Sequence, residues 1–185
     1  MKKILLLSLF LLSQGVSIAA DSSEEGISTS PLKIYSGGIT VGAAVALNED
    51  FKEVSKRFLQ LSFSNTFSVQ EYIDIFLDVN WFIPGTNAGA DLGCDFIFSR
   101  TDFRPLAGIG FGAHYVDHGK EFDENFGPSI TAHFGFIYEL NDVLALRMRI
   151  PYRLVINETQ DHSIGIDYSF LFSSRFKKVR KINYN

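Results

Sequence analysis

The stretch Tyr72–Ile83 alternates without a break. Ile73, Ile75, Leu77, Val79, Trp81 and Ile83 share one parity, and Tyr72, Asp74, Phe76, Asp78, Asn80 and Phe82 share the other. A strand sends successive side chains to opposite faces, so one face is hydrocarbon and the other carries two carboxylates and an amide. A helix would smear both sets around its surface. The pattern predicts a strand about as long as a tilted bilayer crossing needs, roughly 9–11 residues.

Seven more segments keep the same rhythm: Tyr35–Leu47, Lys56–Asn65, Ala88–Phe98, Leu106–Val116, Ser129–Glu139, Leu144–Ile156 and His162–Phe172. Each has an apolar face, such as Ile109 and Phe111 in the fifth strand or Phe134 and Phe136 in the sixth. Each opposite face is small or polar, such as Gly108, Gly110, Gly112 and His114 in the fifth. Between the strands lie turn-forming stretches, among them Thr66–Gln70, Pro84–Asn87, Ser99–Arg104, Leu140–Val143 and Asn157–Asp161. Asn48–Val54 reads as a charged loop and Asp117–Gly127 as the longest connection. No segment reads as an amphipathic helix. The expected fold is all-β, with eight strands in an antiparallel up-and-down barrel.

The first twenty residues belong to a different pattern. Lys2 and Lys3 precede the apolar run Ile4–Leu12, and Ser17-Ile18-Ala19-Ala20 supplies small residues for cleavage. This is the layout of a secretory signal peptide over 1–20, cut after Ala19 or Ala20. A membrane anchor is the weaker reading, because the run falls short of the roughly 20 apolar residues that a spanning helix needs. Residues 21–34 read as a flexible leader, 35–176 as the barrel, and 177–185, with Lys177, Lys178, Arg180 and Lys181, as a basic tail.

Composition sharpens the picture in two ways. The chain is 46% hydrophobic with 18 phenylalanines, yet past Ala20 its apolar residues are dispersed by alternation rather than gathered into a run. The formal charge of −4 becomes −6 without Lys2 and Lys3, which offers nothing like a basic nucleic-acid surface. The lone Cys94 can form no intrachain disulfide and reads as a small hydrophobe.

Alternation fits two opposite barrels. A soluble lipocalin-like barrel turns its apolar face inward, whereas a membrane barrel turns it outward to lipid. Three features favour the transmembrane β-barrel. The polar faces are rich in Gly, Ser, Thr and Ala, which suits a crowded interior better than a solvated exterior. The outer aromatics Tyr35, Phe67, Trp81, Phe98, Tyr115, Tyr138 and Phe172 gather towards strand ends, as interfacial girdles do. The charges are also sorted: Asp74, Asp78, Asp91 and Asp95 sit on strands three and four, and Arg147, Arg149, Arg153 and Asp167 on strands seven and eight. In a closed ring of eight these groups face each other across the lumen, where they predict an ion-pair network.

On these residues the chain resembles the small eight-stranded bacterial outer-membrane barrels, such as the transmembrane domain of outer-membrane protein A, over about Tyr35–Phe176. Ser163-x-Gly165-x-x-Tyr168-x-Phe170 is similar to the last-strand signal that barrel assembly machinery reads in this class. Two departures stand out: nine residues follow Phe176, and only one outer connection reads as long. The resemblance implies an outer-membrane location, contact with outer-membrane lipid and lipopolysaccharide, both termini in the periplasm, and Asp117–Gly127 facing outwards with a possible extracellular ligand.

The function expected from this reading is structural or interaction-based, without enzymatic activity, cofactor or metal. A narrow ion path is one alternative, although an eight-stranded interior has room for little beyond its own side chains. A lipid A-modifying enzyme is another. Adjacent His162 and Ser163 point to opposite faces and cannot pair as base and nucleophile, the His-x-Ser spacing of barrel deacylases is absent, and His114 and His133 read as structural groups of the lumen.

Overall fold

A computed structural model of the chain describes residues 35–70, 72–99, 102–119, 121–141 and 143–174. The expected signal peptide 1–20, leader 21–34 and tail 177–185 lie outside the described residues.

In chain order the elements are β1 (Tyr35–Ala46), α1 (Glu49–Val54), β2 (Arg57–Gln70), β3 (Ile73–Ile83), β4 (Asn87–Ile97), β5 (Phe103–Tyr115), α2 (Phe122–Asn125), β6 (Phe126–Glu139), β7 (Leu144–Val155) and β8 (Asp161–Ser174). Each strand pairs antiparallel with the next, and β8 returns to β1 to close the barrel. The seam runs from Tyr35 opposite Ser174 to Ala46 opposite Ser163. Closure leaves no strand edge with unpaired backbone groups, which is the condition for a sheet to exist in hydrocarbon.

The parity read from the sequence sets the faces. On β3, Asp74, Phe76, Asp78, Asn80 and Phe82 are buried, while the residues between them are half-buried or exposed. The outward side chains stay open to the surroundings: Leu92 is 56% exposed, Phe111 60% and Phe134 60%. Inside the wall, Arg147 and Asp95 are wholly buried. The barrel is therefore polar within and apolar without.

The interior has three layers along its axis. At the end where the chain makes its short turns, Ile97, Leu106, Ile137, Ala145 and Leu171 form an apolar floor. At the opposite, loop end, Ala44, Ala46, Phe51, Phe58, Phe82, Val116 and Val155 form an apolar lid. The charged side chains lie between them.

Several boundaries differ from the sequence reading. Thr66–Gln70 is not a turn: β2 continues to Gln70, with Ser68 facing Asp74 and a bulge before Gln70. Thr66 and Ser68 keep the inward parity of Ser62 and Ser64, so the pattern ran on past the polar residues that suggested a turn. Phe103 and Arg104 likewise belong to β5, and Pro105 is held inside the strand. The β1–β2 connection is not a plain loop. It contains α1, whose Phe51 is buried, and at residues 47–56 it is as long as the β5–β6 connection at 116–125. Two apolar residues, Phe51 and Val54, among four charges are too short a periodicity to read as a helix. Within Asp117–Gly127 the chain forms α2 and enters β6 at Phe126.

Local turn chemistry fixes the remaining connections. Asn141 Oδ1 accepts from the backbone N–H of Val143 at 2.9 Å and of Leu144 at 2.8 Å, closing the β6–β7 turn. Gly85, with φ of 94°, takes the left-handed position in the β3–β4 turn.

Candidate functional site, the ionic lumen

Alternation puts four carboxylates on adjacent strands in direct register. Asp74 lies opposite Asp95, and Asp78 opposite Asp91. Like charges placed this way repel, so the arrangement persists only if cations reach them. They come from the far side of the barrel. On β7, Arg147, Arg149 and Arg153 share the inward parity with Pro151, and all three are buried.

Arg149 Nη2 donates to Asp78 Oδ2 at 2.6 Å and lies 3.5 Å from Asp167 Oδ2. Asp167 is also its register partner on β8, so Arg149 joins a neighbouring carboxylate to one across the lumen. Arg153 Nη2 donates to Asp91 Oδ2 at 3.2 Å. Arg147 crosses to β2, donating to Ser64 Oγ at 2.8 Å and Thr66 Oγ1 at 3.3 Å, with Asp78 3.6 Å away. Two guanidiniums also lie over rings, Arg149 over Phe76 at 5.6 Å and Arg153 over Phe82 at 5.0 Å.

Two carboxylates, Asp95 and the Arg153 partner Asp91, also engage histidines. His133 Nε2 is 2.6 Å from Asp95 Oδ1, and His114 Nε2 is 3.1 Å from Asp91 Oδ2. Asp91 also accepts from Ser129 Oγ at 2.9 Å and from Asn80 Nδ2 at 3.0 Å. Asp74 is buried towards the floor, beside Ser68 on β2. The structure thus places all eight charged residues named from the sequence in one buried layer. The two Asp–His pairs were not read from the sequence, because a histidine on an inward face does not say which carboxylate it will meet.

The inward glycines of β5 make this layer possible. A Cβ at Gly108 would run into both the Asp95 carboxylate and the His133 ring. A Cβ at Gly112 would meet the Asp91 carboxylate. The small residues of one strand are the space into which the charges of the next strand fold.

The loop end carries a second polar cluster that sequence reading missed. His118 Nε2 is 2.7 Å from Asp161 Oδ2, and Asn157 Nδ2 donates to that same oxygen at 2.7 Å. Asn48 Oδ1 accepts from the His162 backbone N–H at 2.9 Å, tying the β1–β2 connection to β8. Above this cluster an open depression of about 560 Å³ is lined by Asp50, Glu53, Gly85, Asp117, His118 and Thr159. Beneath the lid, a void of about 10 Å³ lies between Phe51, Phe82, His114 and Arg153.

His162 and Ser163 do lie on opposite faces. His162 Nδ1 is 2.5 Å from the Tyr152 hydroxyl on the outer wall, while Ser163 is buried within. The four residues resembling an assembly signal all sit on the closing strand. Ser163 and Gly165 face Ala46 and Ala44 of β1, and Tyr168 and Phe170 stand exposed on the outer wall. Among the described residues no group of three or more His, Cys, Asp or Glu side chains is placed to hold a metal ion.

No family model matches this sequence, and no curated protein matches it. Solved structures do. The chain is similar to neisserial surface protein A, at 10% identity and a TM-score of 0.50, over 78% of this chain and 97% of that one. The outer membrane protein OprG from Pseudomonas aeruginosa aligns at 13% identity and a TM-score of 0.48, over 79% and 96%. The N-terminal β-barrel domain of OprF from Pseudomonas aeruginosa aligns at 12% identity and 0.49, over 74% and 97%. What the chain has in common with neisserial surface protein A at this identity is the fold, a small eight-stranded barrel.

Proposed function

We propose that the chain is a bacterial outer-membrane barrel with a side-chain-filled lumen, serving a structural or surface-interaction role rather than a catalytic one. The observation that carries this reading is the inverted polarity of the wall. Ile39, Leu61, Leu77, Leu92, Ile109 and Phe134 stand exposed around the outside, while carboxylates and guanidiniums fill the inside. Charged groups cannot face hydrocarbon cheaply, so a barrel in lipid keeps them within, paired with one another.

The closed interior argues for a plug rather than a path. Ions crossing the barrel would have to pass the lid, the ionic layer and the floor in turn. His162 and Ser163 lie on opposite faces, and the inward Ser129 and His114 are each bonded to Asp91 inside the filled lumen, an arrangement that supports a structural role for them. The partners proposed are outer-membrane lipid and lipopolysaccharide around the wall, and the assembly machinery reading Ser163, Gly165, Tyr168 and Phe170 on β8. The open depression and the β5–β6 connection at the loop end are the surfaces available to an extracellular ligand.

Fractionation of membranes from the native cell tests the location. The protein should sediment with outer-membrane vesicles and run faster on a gel unheated than boiled, as closed barrels do. Recovery in the soluble periplasmic extract would overturn the reading. Current steps in a planar bilayer would instead favour an ion path.

A further inference from the structure

Three rings lie stacked where β5 and β6 leave the barrel. Tyr115 and Phe126 are register partners and the last outward pair of these strands. Phe122, on α2, folds back over them: its ring centroid is 5.3 Å from Tyr115 and 5.5 Å from Phe126, with interplanar angles of 18° and 14°. Despite both neighbours Phe122 is 67% exposed.

The connection is held in this pose. Asn125 is fully buried, its carbonyl accepts from the Val116 N–H at 3.0 Å, and its Oδ1 accepts from the His118 N–H at 3.3 Å. The aromatic face of α2 is therefore set against the outer wall rather than over the mouth. The stack also continues the outward apolar surface. Tyr115 shares its lateral row with Ala88 of β4 and Trp81 of β3, and below it on β5 come Ala113, Phe111 and Ile109. Three stacked rings facing water would be a costly apolar patch, whereas aromatic rings at the level of lipid headgroups are favourable.

We propose that Phe122, with Tyr115 and Phe126, anchors the β5–β6 connection in the headgroup layer of the bilayer, so that part of this connection is a lipid contact rather than a free surface loop. This rests on the membrane reading above. It narrows the surface left for an extracellular ligand to the far side of that connection and to the depression beside α1.

Trp81 is the chain's only tryptophan and lies on the outward face of β3, so the native protein reports on the wall by itself. The experiment compares the native chain with a Trp81→Phe/Phe122→Trp chain. Both are reconstituted into phosphatidylcholine vesicles whose acyl chains are brominated near the headgroup or near the chain end. The expected result is that Trp81 loses emission to the brominated lipid. A tryptophan at 122 should lose at least as large a share to the lipid brominated near the headgroup, and less to the other. Quenching of Trp81 with none at 122, and water-like emission there, would overturn the anchor and leave the membrane barrel standing. Quenching at neither position would overturn the membrane reading and the anchor with it. Closure of each variant is checked by heat-dependent gel mobility, and a Trp81→Phe/Phe126→Trp chain serves in place of one that does not close.

Discussion

Arg149 on β7 reaches across the barrel to Asp78 on β3, Nη2 to Oδ2 at 2.6 Å, while its own register partner Asp167 lies 3.5 Å away. One guanidinium therefore separates carboxylates from two walls that would otherwise face each other with like charge. Both partners are buried, so neither has water to fall back on. The consequence is asymmetric: the complete pair is close to neutral for stability, whereas half of it is costly.

Replacing Arg149 with Leu should destabilise the barrel by roughly 3–5 kcal/mol, because Asp78 and Asp167 lose their shared cation while staying buried. Adding Asp78→Asn to that variant should restore part of the loss. Urea unfolding in lipid vesicles, followed by Trp81 fluorescence, measures both. Equal stability of the native and Arg149→Leu chains would mean that the network does not hold the strands.

Gly108 tests the ionic layer from the other direction. Its missing side chain is the space occupied by the Asp95 carboxylate and the His133 ring. Gly108→Val has a suitable β-propensity, yet it should cost about 1–3 kcal/mol by overpacking, since its side chain would run into two buried groups that are bonded to each other. Ala113→Val, an outward change on the same strand, should be nearly neutral. The same unfolding assay compares them, and similar losses for both would count against a tightly filled lumen.

Much of this is legible in the sequence because a strand has a period of two. With Ile75, Leu77 and Val79 on one face, Asp74 and Asp78 must lie on the other, and closure brings Asp78 to Arg147 and Arg149. Nothing equivalent marks the connections. Phe51 and Val54 are two apolar residues among four charges, and the geometry of the mouth is what turns Phe51 inward to stack on Phe58 at 4.8 Å. The pairs His118–Asp161 and His133–Asp95 join residues far apart in sequence, so their partners depend on register and rotamer rather than on pattern.

Phe51 is the part of α1 that seals the lid. Phe51→Ala should speed amide exchange over residues 49–54 by at least about tenfold while leaving the strands protected, since it removes the buried side chain of α1 and leaves only the partly buried Val54 against the lid. Mass-spectrometric hydrogen exchange resolves the two regions. Conductance of the variant should stay at baseline, because the ionic layer and the floor around Leu106 and Leu171 remain. Current steps from Phe51→Ala alone would show that the lid is the only barrier.

The outer face gives the sharpest test of what surrounds the barrel. Leu92 is 56% exposed and stands between Leu77 and Phe111 in register, midway along the wall. In water, Leu92→Arg would place a charge on an open surface at almost no cost. In hydrocarbon it should cost roughly 2–4 kcal/mol, the penalty for a cation near the bilayer midplane. Leu47→Arg, beside the loop end, should cost no more than about 1 kcal/mol. Equilibrium unfolding from vesicles gives both numbers. A depth-dependent penalty requires lipid outside the wall, whereas two equally small values would place water there and invert the polarity argument on which the membrane assignment rests.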